Sequence, residues 1–276
     1  MKKSLSGIFF LIFIMSMNTS YAQIGEPSKG AISTMKTEEF TYKTEGLTQK
    51  GYVAYVPNEK NKLPIVLVVP EWWGYVEYAK MRARKLAELG YIAMVVDMYG
   101  DGKEAKTVAE AQKFSEAFYK DPALGRARIQ AAERKIKTYT QADPRRIAAI
   151  GYCFGGSMVL NAAKMGMDLR GVVSFHGGLK GVPAARGVVT SKILVCNGGA
   201  DKVVTEDDIK EFKQNLDSVG VRFLFKSYPN ATHAFTNPDA TANGKKFNLP
   251  IAYNEEADKE SWQDMRRFLR EVFYAK

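Results

Sequence analysis

The apolar run Ile147-Ala148-Ala149-Ile150 leads into Gly151-Tyr152-Cys153-Phe154-Gly155-Gly156, and a helix-compatible stretch from Ser157 to Lys164 follows at once. No other feature constrains the fold as much. A strand must give way to a helix within a few residues, with a cysteine at the tip of the turn. Such a turn crowds the backbone, so the residues beside its tip should lack Cβ atoms. It lifts the cysteine above the end of the sheet. It also turns the Phe154 N–H, at the helix N-terminus, toward any oxyanion forming there. The pattern alone is equally met by a packed structural cysteine.

The rest of the chain repeats strand and helix signals. Residues 64–69 and 91–96 are continuous apolar runs, as expected for strands buried on both faces. Residues 171–175, 192–196 and 221–225 read as further strands, and 39–43 with 50–56 as a hairpin. Helical spacing is found over 78–89, 104–119, 123–139, 206–219 and 255–273. The last of these places Trp262, Met265, Phe268 and Leu269 on one stripe, which reads as core. Strands alternating with helices predict an α/β class: a mostly parallel sheet with helices on both faces.

Two further residues change the reading of the cysteine. The strand at 192–196 runs into Asn197-Gly198-Gly199-Ala200-Asp201, and the strand at 221–225 is followed by His233 in Asn230-Ala231-Thr232-His233-Ala234-Phe235. Only two histidines exist in the chain. A lone loop aspartate is usually a turn former, and a lone loop histidine is usually solvated. Nucleophile, acid and base in that order, each after its own strand, is the arrangement of an α/β-hydrolase. Open α/β sheets also bind ligands at the carboxyl ends of their strands.

On these residues the chain resembles the dienelactone hydrolase family of α/β-hydrolases. The resemblance spans roughly residues 35–275 and rests on five segments: Val69-Pro70-Glu71-Trp72-Trp73-Gly74, Asp97-Met98-Tyr99-Gly100, the 151–156 turn, Asp201 and His233-Ala234-Phe235. It implies that Cys153 is the nucleophile, His233 the base and Asp201 the residue that orients it. It further implies that Glu71 contacts the thiol, that Trp72 and Phe154 supply the oxyanion N–H groups, and that Tyr99 and Phe235 lie on the substrate side. His176, after the 171–175 strand, either touches substrate or is a hydrogen-bonded structural residue at the pocket edge. Family members that act on carboxylated lactones carry two arginines at positions matching Asp101 and Asn237 here. Losing both removes the side chains suited to bidentate carboxylate capture, with Lys103 the nearest candidate replacement. No metal and no cofactor are expected.

The first residues form a separate unit. Lys2-Lys3, the apolar residues 7–15, and Ser20 and Ala22 at small-residue positions read as a secretory signal peptide over 1–22. A mature extension over 23–34 and one hydrolase domain over 35–276 follow. The protein is therefore expected to be exported, to the periplasm or the medium, with no membrane span after cleavage. Two cysteines in an exported chain invite a disulfide. The strand at 171–175 should lie between Cys153 and Cys196, about 10 Å of separation at two strand spacings. That exceeds bridging reach, so Cys196 reads as a small buried hydrophobe.

The formal charge is +10. Its lysines and arginines are scattered, with no zinc-ligand spacing and no basic run, so nucleic acid is not an expected partner. The expected partner is a small-molecule ester or lactone, bound by a monomer or small homo-oligomer. A thiolate is itself a good leaving group, which favours enol lactones, aryl esters and thioesters over amides. The expected activity is thus metal-independent hydrolysis of lactones or activated esters through an acyl-enzyme. Two rivals are a binding protein on a hydrolase scaffold with little turnover, and a redox role for Cys153.

Overall fold

Seven consecutive buried residues, Leu63–Val69, form β3 near the middle of the sheet. A computed structural model describes residues 34–44 and 46–275. The expected signal peptide and all of the extension except Thr34 lie outside the described residues. The strands are β1 (Lys36–Thr44), β2 (Leu47–Tyr55), β3, β4 (Ile92–Val96), β5 (Ala142–Tyr152), β6 (Gly171–Phe175), β7 (Lys192–Gly198) and β8 (Phe223–Tyr228). They form one sheet in the order β1-β2-β4-β3-β5-β6-β7-β8. β2 runs antiparallel to β1 and to β4, and the strands from β4 to β8 are mutually parallel.

The helices are α1 (Glu77–Glu88), α2 (Val108–Lys120), α3 (Pro122–Ile136), α4 (Phe154–Lys164), α5 (Glu206–Ser218), α6 (Ala240–Phe247) and α7 (Glu255–Tyr274). The period-two alternation of strand side chains divides the core. Ile65, Leu67 and Val69 pack with Ile129, Met158 and Phe212 from α3, α4 and α5. Val66 and Val68 pack with Leu86 of α1 and with Met265, Phe268 and Leu269 of α7. Both faces are covered, which is why β3 carries no polar side chain. The expected stripe of α7 is indeed core, and Asn254 caps that helix by accepting the Ala257 N–H. Among the described residues no helix is long and apolar enough to cross a membrane.

Several boundaries differ from those expected. α2 starts at Val108 rather than 104, because the Thr107 side chain caps it by accepting the Glu110 N–H and Glu104 pairs with Gly74 in an isolated bridge. β8 starts at Phe223, two residues late, since the Val221 N–H is taken by the Leu216 carbonyl at the end of α5. α6 was not expected at all. Its Asn243-Gly244 pair reads as a turn, but Gly244 is held where a Cβ would lie 2.4 Å from the Ile251 carbonyl.

Candidate active site

Cys153 stands at the N-cap of α4 with φ 51° and ψ −115°, a conformation a residue with a Cβ adopts only under constraint. The constraint is close packing on either side. A Cβ on Gly151 would lie 2.1 Å from the Gly155 carbonyl oxygen, and one on Gly155 would lie 2.2 Å from that of Val69. The Cys153 N–H is shared by the Phe175 carbonyl at 2.9 Å and Nδ1 of His176 at 3.1 Å. The Phe154 N–H opens α4 and, as in any first helical turn, has no acceptor within the helix.

His233 follows β8 and is tied to Ile251 by a single parallel bridge. Its Nε2 lies 3.1 Å from Cys153 Sγ, and its Nδ1 lies 2.8 Å from Asp201 Oδ2. The Asp201 side chain is shielded from solvent. Its other oxygen accepts the N–H of Val203 at 2.7 Å and that of Val204 at 3.3 Å. A carboxylate at Nδ1 keeps a hydrogen on that nitrogen and leaves Nε2 to face the sulfur. Burial alone would lower the imidazole's proton affinity. The Cys153 sulfur and the Asp201 carboxylate more than offset that and push it up to about 10. The ring therefore holds its proton readily and can hand it to a leaving group.

Glu71, just past β3, is buried. Its Oε2 accepts from Asn237 Nδ2 at 2.7 Å. Its Oε1 has no hydrogen-bond partner among the described residues. Burial pushes its carboxyl up to about 7, against the Asn237 hydrogen bond and the charges of His233 and Arg82. The glutamate is thus bonded to Asn237 rather than to the Cys153 thiol that the resemblance implies as its contact.

These groups open onto a cavity of about 890 Å³ lined by Glu71, Trp72, Cys153, His233 and Asn237. Its outer walls are largely apolar: Trp73, Tyr119 of α2, Val203, and the Leu249–Ile251 segment after α6. Lys113 and Lys120 of α2 also reach its rim, and no arginine lines it. Asp101 and Lys103 are about half exposed or more, 4.0 Å apart, and belong to neither wall. Lys103 therefore does not occupy the place of a missing arginine. Among the described residues no group of three or more His, Cys, Asp and Glu side chains is placed to hold a metal ion.

Three residues expected near substrate lie behind the cavity wall instead. Tyr99 packs against Phe114, Phe118 and Phe154 and donates its hydroxyl to the Trp72 carbonyl at 3.0 Å. It supports the wall. Phe235 and His176 are both 0% exposed, with ring centroids 5.2 Å apart. Contact with substrate is closed to them as long as this packing holds. Sequence reasoning missed the Asn237–Glu71 hydrogen bond and the wall built by α6. The signal for the first was present, since the resemblance gives Asn237 a position that carries a donor in the family, and a buried carboxylate needs a donor.

The description "Dienelactone hydrolase family" belongs to the family model that matches residues 46–273. A dienelactone hydrolase-like promiscuous phosphotriesterase from metagenomic libraries is 32% identical, with a TM-score of 0.81, covering 87% of this chain and 99% of its own. A Methylorubrum extorquens protein provisionally named carboxymethylenebutenolidase is 26% identical over 78% of this chain and 75% of its own length. A Klebsiella pneumoniae structure provisionally described as a dienelactone hydrolase shares the fold, with a TM-score of 0.73 at 23% identity, covering 86% of this chain and 98% of its own.

Proposed function

This chain belongs to the dienelactone hydrolase family and is an ester or lactone hydrolase, and we propose that it acts on neutral, apolar esters or lactones through Cys153, His233 and Asp201 with an acyl-enzyme intermediate. One observation carries the proposal. A single imidazole lies within hydrogen-bond distance of both the sulfur and the carboxylate, 3.1 Å and 2.8 Å away, at the floor of a largely apolar cavity.

The Cys153 thiolate attacks the acyl carbon, and the carbonyl π electrons move onto oxygen. The N–H groups of Phe154 and Trp72 stabilise that oxyanion, each donor supplying about 2.7–4 kcal/mol by analogy with other oxyanion holes. The tetrahedral adduct collapses, the C–O bond to the alcohol breaks, and His233 gives the departing oxygen a proton. A thioester remains on Cys153. Water then attacks it, giving its proton to His233, and the second adduct expels the thiolate and the free acid. Asp201 keeps the imidazole in the tautomer and orientation that both transfers need. With Glu71 titrating near 7, its protonated form adds no negative charge beside the attacking sulfur.

The lining supports this substrate class. Trp72, Trp73, Leu249 and Ile251 favour an apolar acyl or leaving group, and the donor facing Glu71 is an uncharged amide. Export, with residues 1–22 removed as a signal peptide, belongs to the same proposal and rests on Lys2-Lys3 and the apolar residues 7–15. The mass of the mature protein from its native host tests it.

The test of activity uses aryl esters, enol lactones and, given the metagenomic relative, a neutral aryl phosphotriester. The wild type should release p-nitrophenol from p-nitrophenyl acetate with a burst, and Cys153 should carry the acetyl group in a quenched sample. Cys153→Ala should lose turnover and keep the thermal midpoint. Equal activity in the variant would sink the proposal, and a wild type that binds esters without turnover would support a binding role instead.

A further inference from the structure

The nucleophile and its base follow strands that do not touch. β5 leads to Cys153 and β8 leads to His233, and β6 and β7 separate the two strands in the sheet. One side chain reaches both, and it comes from the end of β6. His176 is wholly buried. Its Nδ1 accepts from the Cys153 N–H at 3.1 Å, so that nitrogen carries no hydrogen. The ring hydrogen is then on Nε2, which lies 2.7 Å from Thr236 Oγ1, three residues past His233. The two imidazoles meet edge to face, 5.5 Å between centroids.

The local backbone shows why a strut is needed. Cys153, His176 and Ala234 are three of the non-glycine residues held at positive φ, at 51°, 40° and 58°. Such conformations persist only where the surroundings over-determine them. The far end of the strut is itself anchored. The Tyr78 hydroxyl lies 2.6 Å from Thr236 Oγ1, and Arg82 Nε donates to that hydroxyl at 3.2 Å. Arg82 Nη2 donates to the Thr236 carbonyl at 2.5 Å and to Asp258 of α7 at 2.6 Å. Thr236 is therefore held through both its side chain and its backbone. Burial, then the charges of His233 and Arg82, keep the His176 imidazole well below its ordinary range, so it stays neutral.

We propose that His176 is a positioning residue: a neutral Nε2–H imidazole, clamped by Thr236, that sets the distance between the Cys153 sulfur and the His233 ring. This rests on the triad reading above. It deepens that reading by assigning the sulfur–imidazole spacing to a side chain that touches neither substrate nor sulfur.

The experiment compares His176→Phe, Thr236→Val, the double variant and Thr236→Ser in the full mature protein. Turnover of p-nitrophenyl acetate, thermal midpoint and the rate of Cys153 alkylation by iodoacetamide at neutral pH are measured on each. Each of the first two variants should lower kcat about tenfold or more while KM changes by less than about twofold. The double variant should fall no more than about twofold below the worse single, because both remove one coupled unit. Thr236→Ser keeps the hydroxyl and should retain kcat within about twofold. Alkylation should slow in step with kcat. A raised KM at unchanged kcat would make His176 a substrate contact and overturn the proposal, and so would additive losses. If His176→Phe does not fold, the Thr236→Val and Thr236→Ser pair decides alone. If the wild type turns over no ester, the function reading fails, and the alkylation rates still decide the role of His176.

Discussion

Asn237 Nδ2 donates to Glu71 Oε2 across 2.7 Å, so among the described residues the one side-chain bond to this buried carboxylate comes from an uncharged amide. No ion pair to Glu71 forms among the described residues. A carboxyl that is out of water and facing a neutral donor keeps its proton to unusually high pH. An uncharged donor at this point thus helps to set the charge beside Cys153 and His233 near neutrality.

That has a measurable signature in stability. Folding raises the Glu71 carboxyl from 4.5 to about 7. The folded protein holds a proton that the unfolded chain has already released, so the contribution is complete below 4.5 and is lost as pH rises to 7. Its size is on the order of 3 kcal/mol. Glu71→Gln should leave stability at pH 4 nearly unchanged and raise it at pH 8 by about 1–3 kcal/mol. Urea unfolding at the two pH values checks this, and a variant less stable at pH 8 would contradict it.

His233 shifts in the same direction with opposite charge logic. Its folded value of about 10 stands above the ordinary 6.5. The stabilisation from the protonated ring is therefore present below 6.5 and lost as pH rises through 10. Thermal midpoints of the wild type should fall between pH 7 and 10, and His233→Gln should flatten that part of the curve. In the proposed mechanism the same residue acts in turnover, and His233→Ala should cost about 10²-fold or more in kcat.

Arg82 and Asp258 join α1 to α7 beneath the site, with the guanidinium side chain 1% exposed. It also lies over the rings of Tyr78, Tyr152 and Trp262. Removing one partner strands the other charge in the core. Asp258→Ala should cost about 3–5 kcal/mol in chemical denaturation. A loss below about 1 kcal/mol would mean that water reaches the guanidinium once the carboxylate is gone.

Substrate charge should matter little or adversely. A carboxylate on the substrate gains about 1.5–3 kcal/mol only from a charged donor in a desolvated pocket. Lys113 and Lys120 line the cavity, but both are exposed and screened by salt. At about 0.1 M salt, kcat/KM for a neutral enol or aryl ester should equal or exceed that of its carboxylated analogue. A tenfold preference for the carboxylated compound would assign those lysines the role of the missing arginines.

How far the sequence reveals such a site depends on the separation of the partners. The inner strands were readable because they contain continuous apolar runs, such as Ile65–Val69 and Ile92–Val96, that end at Pro70 and Asp97. The placement of Cys153, Asp201 and His233 past the carboxyl ends of β5, β7 and β8 then follows from strand order. The Asn237–Glu71 bond joins residues 166 apart, and the Arg82–Asp258 pair residues 176 apart. No periodicity encodes either. His176 was legible as a strand-end residue, but its burial depends on Phe235 and Thr236 folding back over it, which only the tertiary packing decides. α6 was hidden by its Asn-Gly pair, whose local preference is overruled by packing against Ile251.

The position of β6 between β7, which carries Cys196, and β5, which leads to Cys153, has a practical side. Tyr152 pairs with Phe175 and Phe175 with Cys196, so a whole strand stands between the thiols, and both are free. Burial pushes the Cys196 thiol up to about 12, which leaves it silent toward ordinary thiol reagents. The protein therefore arrives as a one-handle molecule. A chromophoric alkylating agent should count the molecules with an accessible Cys153 in any preparation, and a spin label or heavy atom should be set at the floor of the cavity, without altering a single codon.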